Sequence, residues 1–136
     1  MEKSFTVPGE PKGKGRPRFT RFSTPYTPEN TVSYEEKVRL AFWEKCGTEL
    51  INREIPLTLE ITAVFAVPES TSKKRRTQML AWEILPTKKP DADNIAKIIA
   101  DALNGVAWHD DAQITEMHVR KVYGEIPEVR VRILSE

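Results

Sequence analysis

Apolar side chains at Ile95, Ile98, Ile99, Ala102, Leu103 and Val106 recur at i, i+3, i+4, i+7, i+8 and i+11, the spacing of one face of an α-helix. Gly105 stands where a left-handed C-terminal cap is wanted. So continuous a face has to be buried, and that fixes where every other residue of the helix points. Asp93, Lys97 and Asp101, spaced by four, form a polar stripe roughly opposite the buried one. Immediately upstream runs Lys88-Lys-Pro-Asp-Ala-Asp-Asn94. Pro90 biases Lys89 toward extended geometry, so the chain is expected to enter as a strand end, with the helix beginning near Asp93 or Asn94. Alternate residues of an extended chain project to one side, which brings the Asp91 and Asp93 carboxylates together. Like charges so close raise each other's pKa unless a cation lies between them, which is the usual design of a divalent-metal site rich in oxygen ligands.

Lys97 points at the same place, and among acids its charged form is favoured, which suits an electrostatic clamp better than a general base. Beyond the helix, Trp108-His-Asp-Asp111 is positioned to fold an aspartate back over the pair. If that segment is extended, Asp110 and Asp111 point to opposite sides, and only one of them reaches the metal. Asn94, Asp101 and Asp110 are then candidates to support the ligands, Asp101 chiefly as the ion-pair partner of Lys97. Helix capping alone would explain Asp93. It explains neither Asp91 nor the later aspartate pair.

The remaining periodicities place this helix in a fold. Phe5 and Val7 indicate a short first strand, ended by Pro8-Gly9 and Pro11. Tyr34, Val38, Ala41, Phe42 and Cys46 recur at helical spacing between the start signals Pro28 and Asn30 and a stop at Gly47. Leu57, Leu59, Ile61, Ala63, Phe65 and Val67 alternate with polar residues as a half-buried strand does, and Pro68 ends it. Residues 70–82 read as a basic helix or mobile arm capped by Ser70 or Thr71. Strands over residues 113–123 and 129–133, with Pro127 between them, complete the chain as a hairpin packed beside the central strand. The expectation is a single α+β domain over residues 1–136, a small mixed or antiparallel sheet packed with helices.

Charge segregation matters more than the formal net charge of +1. Residues 1–21 carry six basic groups against two acids, and residues 70–90 carry six against one. Residues 91–116 reverse this, with Lys97 alone against six acids. Two basic blocks flank an acidic centre, so the near-neutral average does not exclude a polyanionic partner. The blocks are a basic N-terminal arm over about residues 9–22, with Lys12, Lys14, Arg16 and Arg18, and a basic helix or arm over about residues 70–86, with Lys73, Lys74, Arg75 and Arg76. Lys88 and Lys89 adjoin the acids. One cysteine, Cys46, and two histidines, His109 and His118, exclude a disulfide and a thiolate-imidazole zinc site. With no apolar stretch for a signal peptide or membrane span, a cytoplasmic protein is expected. Trp43, Trp82 and Trp108 read as packing residues, although Trp82 also has the chemistry to stack on a base.

Clustered carboxylates, a lysine and flanking basic blocks are what phosphodiester cleavage requires. Mg²⁺ takes carboxylate, water and phosphate oxygens, can generate a hydroxide nucleophile, and neutralises charge on the reacting phosphorus. The uncatalysed reaction is so slow that a site must lower its barrier by on the order of 20 kcal/mol, which side chains without metal seldom do. Basic blocks supply affinity through phosphate contacts that read no sequence. The alternatives are a non-catalytic junction-binding or DNA-packaging module, or a metal-dependent nuclease of another structural specificity.

Lys89-Pro-Asp-Ala-Asp-Asn-Ile-Ala-Lys97, Asp101-Ala-Leu-Asn-Gly105, Asp110-Asp-Ala-Gln-Ile114 and Lys121 together resemble the signature of the RusA family of Holliday-junction resolvases, common in phages and prophages. Residues 11–19, Pro-Lys-Gly-Lys-Gly-Arg-Pro-Arg-Phe, resemble the basic arm of its phage-type members. The resemblance implies a Mg²⁺-dependent endodeoxyribonuclease, with Mn²⁺ as a possible substitute. It also implies a homodimer that nicks four-way junctions symmetrically in DNA recombination and repair. On that resemblance Asp91, Asp93 and Asp111 are the metal-binding carboxylates and Lys97 an essential cation, with Asp111 preferred to Asp110. It makes branched DNA and a second copy of the chain the partners, inside a bacterial host cell; the two-fold symmetry of a four-way junction suits such a dimer, and the first helix or the basic arm is expected to contribute to its contact.

Overall fold

The computed structural model describes residues 1–15, 18–19, 25–26 and 29–136. Arg16, Pro17, Arg21 and Pro28 lie outside the described residues, as does the side chain of Arg18. Among the described residues the elements follow in the order β1 (Glu2–Pro8), β2 (Arg18–Phe19), β3 (Pro25–Tyr26), α1 (Glu29–Cys46), β4 (Leu57–Ala66), α2 (Lys73–Leu80), α3 (Ala92–Leu103), a 3-10 turn (Asp111–Gln113), β5 (Ile114–Gly124) and β6 (Glu128–Leu134). The four long strands form one mixed sheet in the order β1-β6-β4-β5, and β2 pairs with β3 in a separate short ladder.

Helix α3 buries the face its spacing predicts. Ile95, Ile98, Ile99 and Leu103 have no exposed surface, a burial that favours this rotation by about 1.5–3 kcal/mol for each large apolar side chain. Exposed ion pairs contribute about 0–1 kcal/mol, so the apolar face sets the rotation and the charged stripe follows. The helix begins at Ala92 with Asp91 as its N-cap, earlier than expected. Proline restrains the residue before it, not the one after, so Pro90 leaves Asp91 free to start the helix. Helix α1 buries Tyr34, Val38 and Phe42 and ends at Gly47, whose φ of +84 is a left-handed stop. It packs on β1 and α3.

Along β4, Leu57, Leu59, Ile61, Ala63 and Phe65 are buried. They lie in register with Val129, Val131 and Ile133 of β6, which pair in turn with Phe5 and Val7 of β1. This face carries α1 and α3. The opposite face is polar over much of its area, where Arg132 binds Glu60 at 2.6 Å and also Glu2, and Arg130 binds Glu128 at 2.6 Å, with the paired Val64 and Val122 buried at one end.

The expected hairpin of the last two strands does not form. β5 runs parallel to β4 on one side of it, and β6 runs antiparallel to β4 on the other. Alternation identifies a strand but not its neighbour, and β4, the most continuously buried strand, takes the centre. At the end of β5, Gly124 lies so close to β4 that a Cβ there would be 2.5 Å from a methyl of Val64. The strand also starts later than expected, because Gln113 is buried in the preceding 3-10 turn. The parallel pairing needs a long crossover, and residues 67–113 supply it with α2 and α3. Over residues 70–86 the structure has a helix, capped by Ser72 rather than Ser70 or Thr71: the Ser72 hydroxyl accepts from the Arg75 N–H at 3.3 Å.

Candidate active site and nucleic-acid interface

The stripe of α3 opposite its buried face looks onto the first half of β5. Between them runs an open groove of about 690 Å³, lined on the α3 side by Ala92, Asp93, Ala96, Lys97, Ala100 and Asp101. From the other side come Asp111, Ile114, Thr115, Glu116, Met117 and Val119. The small residues at 92, 96 and 100 keep the helix close to the strand without filling the space between. Four expected site residues, Asp93, Lys97, Asp101 and Asp111, therefore share one groove.

Asp91 does not line it. Its backbone is extended at φ −69 and ψ 153, its side chain makes no capping bond, and it stands exposed at the helix start. Capping thus fails to account for this carboxylate even at the N-cap position. The two ends of the stripe are also well separated, since eight residues of α-helix rise about 12 Å. Asp93 is at one end and Asp101 at the other, facing Asp111. Among the described residues no three acidic, histidine or cysteine side chains converge closely enough to cage an ion.

Local hydrogen bonding turns Asp110 and Asp111 to different sides. Asp110 starts the 3-10 turn, its carboxylate accepting from the Ala112 N–H at 3.3 Å, while the Gln113 side-chain carbonyl accepts from the N–H groups of His109 and Asp110. That use turns it into a separate depression with Arg53 and His109. Asp111 faces the groove instead. Its Oδ1 accepts from the indole Nε1 of fully buried Trp108 at 2.8 Å, and its N–H donates to Asn104 Oδ1 at 3.2 Å. One carboxylate oxygen is held and the other is left for a ligand. Burial pushes the Asp111 pKa up; the Trp108 bond opposes this, Asp101 and Asp110 add to it, and Lys97 offsets part.

Lys97 is exposed, with Nζ 3.7 Å from Asp101 Oδ2. A closer cation on Asp101 comes from the N-terminal arm, where Lys14 Nζ lies 3.1 Å from Asp101 Oδ2 and 3.1 Å from Glu35 Oε1 of α1. Burial works against the Lys14 ammonium, and the two acids outweigh it, raising its pKa. The arm is tied down on both sides, by Lys14 N–H to the Asn94 carbonyl at 3.0 Å and Gly15 N–H to Thr31 Oγ1 at 3.1 Å. Asn94 accordingly anchors the arm and does not line the groove. Lys14 is half-buried, Lys12 is exposed, and Arg16 and the Arg18 side chain fall outside the described residues.

On α2, Lys73, Lys74 and Arg75 are exposed and Arg76 half-buried. Lys88 and Lys89 are exposed beside the start of α3; the Lys88 ammonium lies 5.7 Å from the Phe65 ring centroid, and its carbonyl accepts from Lys121. His109 and His118 are exposed. Sequence reasoning passed over Glu116, Glu35 and Trp108. Glu116 belongs to a strand whose alternation carries no site signal, Glu35 acts through Lys14, 21 residues away, and Trp108, three residues before Asp111, reads in sequence as a packing residue.

An open, oxygen-only set of carboxylates in which Asp111 keeps a free oxygen fits a hard divalent cation, which is often held by one or two carboxylates with waters and substrate phosphates completing its shell. Groove and flanking cations together have the chemistry of an enzyme that works on phosphodiesters. Comparison with known proteins names the family: the model of Endodeoxyribonuclease RusA matches residues 8–134, and the chain belongs to the RusA endodeoxyribonuclease family. It is 31% identical over 132 residues to the uncharacterized protein YqaN of Bacillus subtilis (strain 168), covering 95% of this chain and 93% of that one. It is 28% identical over 126 residues to the crossover junction endodeoxyribonuclease rusA of Lactococcus phage r1t, covering 92% of this chain and 83% of the phage protein. The chain is thus a nuclease by family, and no described helix is long and apolar enough to cross a membrane.

Proposed function

We propose that the protein is a structure-selective endonuclease that resolves four-way DNA junctions by divalent-metal-dependent hydrolysis, acting as a homodimer. The observation that carries this reading is the groove that sets Asp93, Lys97, Asp101 and Asp111 along one line beside exposed basic side chains, in a chain whose relatives include a phage crossover junction endodeoxyribonuclease. Asp111 would hold Mg²⁺ or Mn²⁺ through its free oxygen, with waters and substrate phosphates completing the shell, and Asp91 and Asp93, at the other end of the stripe, would be drawn in as further ligands when DNA fills the groove. Bound there, the ion supplies a hydroxide nucleophile at neutral pH and Lewis-acid neutralisation of the scissile phosphate.

The chain's own residues do the rest. Trp108 fixes one oxygen of Asp111 and so sets the direction of the other. Lys97, exposed and only loosely paired with Asp101, is free to reach charge developing on the phosphate. Lys14 neutralises Asp101, which keeps the groove from repelling DNA. Lys88, Lys89 and the cations of α2 take flanking phosphates. A four-way junction has approximate two-fold symmetry, so two copies related by one axis can make paired nicks. Exposed Val32 and Leu40 on α1 support that helix as the dimer contact. A DNA substrate inside the cell fits a cytoplasmic enzyme of phage or prophage origin in recombination or repair.

The test incubates the protein with an immobile four-way junction and with linear duplex, with and without Mg²⁺. Paired nicks in the junction are expected only with metal. Asp111→Asn should bind the junction within about twofold of the parent and cleave it more than about 100-fold slower, the scale of a lost metal-linked group. Absence of junction cleavage with both Mg²⁺ and Mn²⁺ would refute the reading, and a monomer in sedimentation at micromolar concentration would refute the dimer.

A further inference from the structure

Trp82 occupies a backbone position that favours glycine. Helix α2 ends at Leu80 with Ala81 as its cap; the Glu83 N–H then reaches back to the Gln78 carbonyl at 2.9 Å and the Trp82 N–H to the Met79 carbonyl at 3.1 Å. This bond pair is the Schellman arrangement, whose residue after the cap is left-handed and usually glycine. Trp82 adopts φ +63 there, against the preference of any large L-side chain. Core packing does not explain the choice, because the residue is 42% exposed.

The ring is nevertheless held. Its Nε1–H donates to the Tyr123 carbonyl at 3.0 Å, which fixes it at the far end of β5 from the carboxylate groove, and the Arg120 guanidinium lies 5.8 Å from its centroid. Lys73, Lys74 and Arg75 are exposed along the helix that leads to it, and none of them enters an ion pair among the described residues. An anchored, exposed indole among unpaired cations is the combination that stacks a base while charge holds its backbone.

We propose that Trp82 and Arg120, served by Lys73, Lys74 and Arg75, form a stacking site for an unpaired or unstacked nucleobase of a branched DNA strand. Bases within a duplex are already stacked on both sides and gain little from an exposed ring. A base at a branch point has lost a neighbour, so the site favours branched over linear DNA. The inference rests on the reading of the protein as a DNA-junction enzyme, but it requires neither metal nor cleavage.

Its test is binding in EDTA to a labelled four-way junction, a linear duplex and oligo-dT. Trp82→Gly preserves the left-handed turn and is expected to bind the junction and oligo-dT about tenfold or more weakly, with the duplex changed less than twofold. Trp82→Phe, which keeps a ring, should recover most of the loss. Junction binding by Trp82→Gly within twofold of the parent, or an equal loss on junction and duplex, would overturn the proposal. A second measurement uses the parent conformation: in a Trp43→Phe background Trp82 is the exposed tryptophan, Trp108 being fully buried, so saturating oligo-dT should quench the fluorescence. No quenching overturns the proposal too. Trp82-dependent binding without junction cleavage in any divalent metal would leave the stacking site standing and remove the resolvase reading.

Discussion

Residues 12–15 and helix α2 look alike as basic sequence, and the fold treats them in opposite ways. In the arm, Gly13 lies against Pro90 and Asn94, and Lys14 is enclosed between Glu35 and Asp101. On α2, Lys73, Lys74 and Arg75 face solvent. The arm's lysine joins α1 to α3 and compensates a carboxylate of the active groove, whereas the cations of α2 remain available to phosphates. A block of positive charge in a sequence is therefore two different things, an internal counter-ion or a binding surface. Only the location of the acids decides which.

Several substitutions can sharpen that contrast or destroy it. Changing Lys73, Lys74, Arg75 and Arg76 together to Gln should have the largest effect: the slope of log affinity against log salt should fall by roughly 3–4, with a loss of two or more orders of magnitude in low-salt binding. The urea midpoint should barely move. Lys14→Met should do the reverse, lowering stability by about 2–3 kcal/mol in urea unfolding. That is below the cost of breaking a fully buried pair because the site is partly wetted and Lys97 still reaches Asp101. If Lys14→Met instead kept its stability and lost DNA affinity as the quadruple variant does, the two regions would be equivalent and the contrast would collapse.

Gly13→Ala probes the same packing without touching charge. Its Cβ would lie 2.9 Å from Pro90 Cβ and 3.0 Å from Asn94 Cβ, and such overpacking costs about 1–3 kcal/mol. Thermal unfolding should register the loss, with the salt dependence of DNA binding unchanged. Smallest of all is Lys74→Ala, expected to reduce the salt slope by about 0.9 and to alter stability by less than about 0.5 kcal/mol.

Much of the groove was legible before the structure. The spacing of Ile95, Ile98, Ile99 and Leu103 located α3 and, by difference, the Asp93-Lys97-Asp101 stripe. By geometry alone Asp111 was legible only as one of two, and it was the family resemblance that preferred it; that it faces the groove follows from the Trp108 indole and the Gln113 amide. The pairing of Asp91 with Asp93 relied on an extended entry that the early start of α3 replaces. The hairpin expectation failed for β5 and β6 because two alternating segments joined by a short turn carry no information about a third strand between them. Glu35 had no signal at all, since its meaning comes from Lys14, 21 residues away.

By itself the sequence determined the four long strands and helices α1 and α3, the buried face of α3, the acidic stripe, the two basic blocks and the family, because each depends on residues within a few turns or on short ordered motifs. Tertiary structure decided which strand lies between β5 and β6 and which lysine is already occupied. It also decided that Trp82 stands exposed at a glycine's position on the end of β5. Those outcomes depend on contacts between segments tens of residues apart, where burial of a shared core, rather than any local preference, chooses the partner.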